Sequence, residues 1–312
     1  MVYKSFEQIL ERVKAKPIVS TVAVAGADGF HVIESVLEAE KMGIIKPVLI
    51  GDVDKIREIL LKLGKQPENY KILKASTHAD CGVQAVALVK SGEADFIMKG
   101  MVETKDVLKP LVSKENGLHT GRVMSHVALD EVPGFTRLTA LTDGGMVPHP
   151  TLSEKKDIII NAVEMLRSLG YERPRVAILC GVEKVNSKMP ETIDAEVLAN
   201  MGETGEIRNC DIVGPISYDL AMSPKAGELK GYYSPFSGEF DILVTPTMAA
   251  GNILNKCLTV SAGGKMAGLI VGAKIPVVLT SRGSSSEEKF LSLALASLVV
   301  VKEEQCKKES SR

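Results

Sequence analysis

The stretch Ile18-Val-Ser-Thr-Val-Ala-Val-Ala25 decides the fold. It is almost continuously apolar and rich in β-branched side chains. A strand with one wet face alternates apolar and polar residues, whereas a strand covered on both faces does not, as in a parallel sheet. Upstream, Ser5-Phe-Glu-Gln8 reads as a capping box, and Ile9, Leu10 and Val13 continue it as an amphipathic helix that Pro17 stops. Downstream, the pattern predicts a helix over 30–42, an apolar strand at Pro47-Val-Leu-Ile50, a helix over 53–63, a strand over 70–73, a helix over 79–90 and a strand over 94–98. Strands alternating with helices of this length form βαβ units, hence a mixed, mostly parallel sheet with helices on both faces, a three-layer α/β/α arrangement.

The middle of the chain departs from this rhythm. Apolar runs over 123–129 and 138–141 flank a Pro133-Gly134 turn and read as antiparallel neighbours. Pro148-His-Pro150 then breaks the chain, and alternation resumes with helices over 154–169, 192–200 and 252–259 and strands over 175–179, 240–244, 267–271 and 276–280. A closing helix starts at Ser286, and the Gly-, Pro-, Ser- and Tyr-containing stretch 219–237 reads as a surface excursion. At 312 residues a single core is near its practical limit, so two domains are expected. They are placed at 1–148 with 276–312, and at 149–275, with a cleft between them.

Composition narrows the function. The chain is 45% hydrophobic and 25% charged with a net charge of −1, so no global basic field exists to hold nucleic acid or an anionic membrane. The start of the chain lacks a signal-peptide pattern, and no apolar run approaches the roughly 20 residues of a membrane span. Cys81, Cys180, Cys210, Cys257 and Cys306 are dispersed without CxxC spacing, as expected of reduced thiols in a cytoplasmic protein rather than a disulfide framework or zinc site. P-loop, GxGxxG, GxSxG and HExxH signatures are absent.

Four loops carry chemistry. In Leu279-Thr-Ser-Arg-Gly-Ser-Ser-Ser-Glu-Glu288 a strand ends, a Ser/Gly turn follows and a helix begins, so free amides, hydroxyls and Arg282 form an anion site. Capping boxes at Ser284/Glu287 and Ser285/Glu288 explain the serines and glutamates but not Arg282. Lys99 and Thr104 lie in a second strand-to-helix loop, Ala94-Asp-Phe-Ile-Met-Lys-Gly-Met-Val-Glu-Thr104, although a lysine there also serves simply to reach solvent. Arg122, Ser125 and His126 sit in Gly121-Arg-Val-Met-Ser-His126, where the histidine is either a ligand or a hydrogen-bonded core residue. Asn252, in Ala249-Ala-Gly-Asn252, is either a binding residue or an ordinary N-cap.

Taken together, these loops resemble the phosphate acetyl/butyryltransferase family over essentially the whole chain, the butyryl branch most closely. The carrying segments are 94–102, 120–128, Leu141-Thr-Asp143, 188–195, Gly251-Asn252 and 276–282. The resemblance implies a two-domain α/β fold like that of the isocitrate and isopropylmalate dehydrogenases, with the active site between the domains, in a homodimer or larger oligomer. It implies direct transfer of a short acyl group between coenzyme A and phosphate in a ternary complex. Coenzyme A is then a co-substrate, acyl-CoA, phosphate and acyl phosphate are the other ligands, and no metal or permanently bound cofactor is called for. It points to Ser281 and Arg282 at the substrate site and to Glu288 as base for the thiol, with Lys99, Thr104, Arg122, Ser125, His126, Asp143 and Asn252 binding substrate. Acetyl transfer is the alternative within the family. A metal- and NAD-dependent decarboxylating dehydrogenase is a more distant one, since the chain has no DxxxD pair.

Overall fold

The computed structural model describes residues 2–280 and 283–300. Contacts divide the chain into two compact units, one of residues 9–121 with the chain from 267 onward, the other of residues 1–8 with 122–266.

In the first unit, β1 (Ser20–Ala25) lies between β2 (Ile45–Gly51) and β4 (Phe96–Lys99), and all but one of its residues are buried. The strand order is β3-β2-β1-β4-β11-β10, where β3 is Lys71–Lys74, β10 is Lys265–Val271 and β11 is Val277–Leu279. Every pairing is parallel except that of β10 with β11. This is the doubly covered parallel strand that the apolar run predicts. Helices α2 (Phe30–Lys41), α3 (Val53–Lys62), α4 (His78–Lys90) and α5 (Thr104–Val112) connect or follow the strands, and α11 (Ser286–Val299) closes the unit. The N-terminal helix α1 (Phe6–Lys14) follows Ser5, and Lys4 donates its amide to Gln8 Oε1 at 2.7 Å.

The register brings three strand ends level. Lys99 is opposite Ala25 on one side and Leu279 on the other. The chain leaving β4 then crosses the turn leaving β1, with Gly100 N donating to Ala25 O and Met101 N to Gly26 O, each at 2.8 Å. A Cβ at residue 100 would lie 2.0 Å from Gly26 O, so only glycine permits this crossing.

In the second unit the order is β5-β6-β9-β7-β8, with β5 at Ser125–Glu131, β6 at Thr139–Thr142, β7 at Arg175–Leu179, β8 at Asp211–Ile216 and β9 at Ile242–Val244. As expected, β5 and β6 are antiparallel, and the other pairings are parallel. Helix α6 (Leu152–Ser168) opens with a full capping box of Thr151 and Glu154. Helix α7 (Pro190–Glu203) follows β7.

Three expectations change. The contact boundary falls at 121/122 rather than at Pro148, because β6 pairs with β9 and so ties 122–148 to the chain beyond it. β8 was not expected from its Gly-Pro dipeptide, which a strand paired only with β7 tolerates. The stretch 219–237 is largely structured, holding α8 (Tyr218–Met222) and α9 (Pro224–Lys230). Met222, Ala226 and Tyr232 from this stretch pack against buried Leu220, Ala221 and Phe240. Among the described residues, no helix is long and apolar enough to cross a membrane.

Replacing Gly100 with alanine should lower stability by about 1–3 kcal/mol, the cost of forcing an atom into a packed crossing. The melting temperature of the Gly100→Ala variant measures it, and an unchanged value would show that the crossing relaxes freely.

Candidate active site

Ser281 and Arg282 lie outside the described residues. Their neighbours define the first group of candidates. Lys99 does not reach solvent: it is 6% exposed, and its Nζ donates to Val102 O at 3.1 Å and Gly100 O at 3.3 Å. It lines a cavity of about 180 Å³ together with Gly29, Phe30, Met101, Thr280 and Lys289. The cavity sits at the C-terminal end of β4 and β11, where open parallel sheets bind ligands. Thr104, by contrast, is the first residue of α5 and is not among the residues around this cavity.

The turn into α11 works as both cap and carboxylate holder. Ser285 is the N-cap and accepts from Glu288 N at 3.1 Å, while Ser284 Oγ donates to Glu288 Oε1 at 2.5 Å. Lys289 Nζ donates to Ser284 O. Burial lowers the pKa of Lys289, with the Glu288 charge opposing it. Ser286 Oγ donates to Glu34 Oε2 at 2.7 Å, tying the start of α11 to α2. Lys289 escaped the sequence reading, although a lysine beside the apolar run Phe290-Leu-Ser-Leu-Ala-Leu295 was the available signal.

The second unit holds the other group. Asp143 is 3% exposed, and its carboxylate accepts from the backbone amides of His126, Gly145, Met146 and Val147 at 2.8–3.2 Å. It organises the loop after β6, a role its place in a family segment did not reveal. The helix α10 (Met248–Lys256) clamps the same loop: Asn252 Nδ2 donates to Gly144 O at 3.1 Å. A Cβ at Gly251 would sit 2.5 Å from Asp143 O. Asn252 is therefore not the N-cap; that residue is Thr247, which accepts from Ala250 N at 3.3 Å.

His126 and Ser125 belong to this network. Gly145 covers the imidazole so closely that an added Cβ would lie 3.2 Å from His126 Cγ. Nδ1 is shut off from solvent and has no hydrogen-bond partner among the described residues. Ser125 is fully buried, and its Oγ accepts from Asn161 Nδ2 at 3.0 Å. Arg122 grips the Glu164 carboxylate with both terminal nitrogens, a fork geometry that also suits phosphate. The structure thus brings Ser125, His126, Asp143 and Asn252 into one neighbourhood and Lys99 and Lys289 into another. Cysteines are quiet by comparison: Cys81, Cys180 and Cys210 are buried, and burial raises the last two to about 11.

Comparison with known proteins supplies the context. Residues 69–297 match the family model described as "Phosphate acetyl/butaryl transferase". The chain is 42% identical over 296 residues to the phosphate butyryltransferase of Clostridium acetobutylicum, covering 95% of this chain and 98% of that one. It is 39% identical over 292 residues to the phosphate acetyltransferase of Thermotoga maritima, covering 94% and 98%. A solved branched-chain phosphotransacylase from Enterococcus faecalis V583 superposes with a TM-score of 0.81 at 34% identity, covering 91% of this chain and 99% of that one.

The buried imidazole makes a pH prediction. Burial holds the His126 pKa below its usual value, and the Asp143 charge only partly opposes this. The unfolded chain then binds the proton more readily, so stability is complete above about pH 6.5 and is lost as pH falls from there toward the folded value. Melting temperatures from pH 8 to pH 5 should decline below about 6.5, and His126→Gln should flatten that part of the decline. Parallel curves for the two proteins would refute it.

Proposed function

Since this chain belongs to the phosphate acetyl/butyryltransferase family, we propose that it moves a short acyl group, butyryl in preference to acetyl, between coenzyme A and inorganic phosphate. The observation that carries this reading is the match to a phosphate butyryltransferase along nearly the full length of both chains. In the direction of acyl-CoA synthesis, the coenzyme A sulfur attacks the carbonyl carbon of acyl phosphate. The C–S bond forms, the C–O bond to phosphorus breaks, phosphate leaves and the thiol proton passes to a base.

The roles follow from charge. Arg282 holds the phosphoryl oxygens by two parallel hydrogen bonds, which a lysine does not reproduce. Ser281 binds substrate beside Arg282, and the amides of the Ser284–Ser286 turn, or a hydroxyl such as that of Ser125, stabilise the developing oxyanion, where one donor is commonly worth about 3–4 kcal/mol. Glu288 is the base for the thiol. The hydrogen bond from Ser284 supports this by orienting the carboxylate, although it also serves the helix start. Lys99 binds substrate as a buried cation at the strand end. Asp143 and Asn252 act by shaping the loop between them, and Arg122, Ser125 and His126 complete that side. We further propose that Thr104 contributes to substrate binding from the start of α5.

The wider reading is a dehydrogenase-like, doubly wound fold and a cytoplasmic homo-oligomer that binds coenzyme A, acyl-CoA, phosphate and acyl phosphate as substrates and needs no permanently bound cofactor.

Purified protein should form acyl-CoA from coenzyme A and butyryl phosphate, with kcat/KM for butyryl roughly tenfold or more above acetyl, from about 0.8 kcal/mol per buried methylene. Folded protein without turnover would sink the activity, and an acetyl optimum would move the chain to the acetyl branch. Arg282→Ala should lower kcat/KM at least roughly a hundredfold, about 2.7 kcal/mol, and Arg282→Lys should recover only part. A fully active alanine variant would reduce the loop to a helix cap.

A further inference from the structure

The lining of the cavity beside β4 is of two chemical kinds. Lys99 and Lys289 belong to it, at 6% and 4% exposure, together with the hydroxyl-bearing Thr280. Burying an ammonium costs several kcal/mol; Lys289 Nζ donates to the Ser284 carbonyl, and the neighbouring Glu288 charge offsets part of its burial. The lining also includes the start of α2, whose N-cap Gly29 offers no side-chain cap to the first amides. Those amides and the helix dipole favour an anion. Phe30, the first residue of α2, and Met101 are large apolar members of the lining, and both remain partly exposed. Gly29 keeps the space open, because a Cβ there would lie 2.6 Å from Met101 Cγ.

We propose that this cavity seats the acyl phosphate, with Lys289 as a second phosphoryl-holding residue beside Lys99 and with the acyl chain against Phe30 and Met101. This rests on the transacylase reading and deepens it. At about 180 Å³ the cavity is smaller than the 300–1,000 Å³ of pockets for drug-sized ligands, so it suits an acyl phosphate and excludes the bulk of coenzyme A. Two lysines and a helix start match the phosphoryl dianion of an acyl phosphate, whose charge they neutralise without bidentate geometry. Restoring negative charge beside Lys289 also offsets the burial that lowers its pKa.

Phosphoryl groups occur on both substrates, so the test separates them. Lys289→Met keeps the length of the side chain and removes the charge, and loss of a buried charge spares the fold its desolvation cost. The variant should melt at or above the parent temperature. Its dissociation constant for inorganic phosphate, measured by calorimetry, and its KM for butyryl phosphate should each rise at least tenfold, while the KM for coenzyme A stays within twofold. Lys99→Met should do the same. A rise confined to coenzyme A would assign the cavity to that substrate and overturn the proposal. So would unchanged phosphate binding, or a Lys289→Met chain that no longer folds, which would make the lysine structural. Because calorimetry reads phosphate without turnover, a protein that binds phosphate through Lys289 yet transfers no acyl group would refute the transacylase reading alone.

Discussion

The crossing of two backbones beyond β1 and β4 is the constraint on which the first unit's chemistry depends. Gly100 passes so near Gly26 that a single methyl group does not fit. The hydrogen bonds from Gly100 and Met101 to Ala25 and Gly26 fix that passage. Because β4 is locked at this level between β1 and β11, Lys99 ends up beneath the loops instead of in solvent. Parallel strands make this arrangement natural, since their C-terminal ends all open on one edge.

On the proposed reading, helix starts around that edge substitute for a basic surface. The chain is nearly neutral, so attraction of an anionic ligand has to be local. Buried lysines are a costly way to supply it, and the protein limits the cost with backbone carbonyls from Gly100, Val102 and Ser284. Ser286 and Glu34 join α11 to α2, so a hydrogen bond ties together the two helices that border the cavity.

The second unit uses the opposite device. There a carboxylate, Asp143, gathers backbone amides and turns a glycine-containing loop into a rigid one. Gly251 and Asn252 press α10 onto the same loop, and Gly145 seals the His126 ring beneath it. A polar loop held this way presents a defined backbone surface at low entropic cost on binding.

Much of this was legible in the sequence. The unbroken run 18–25 identified a doubly covered parallel strand, because burial on both faces removes alternation. The antiparallel pair around Pro133-Gly134 and the Ser285 cap followed from short-range chemistry, which neighbouring residues specify by themselves. What depended on distant contacts was not legible. Lys99 reads as a solvent-reaching lysine until β1 and β11 flank it, and Lys289 reads as a helix residue until α2 and β4 enclose its side chain. Asn252 looks like an N-cap until α10 is seen to start at Thr247. The unit boundary at 121/122 needed the pairing of β6 with β9, partners about a hundred residues apart. Local propensity and patterning set each element, but which side chains are buried together is decided by pairings that only the folded chain makes.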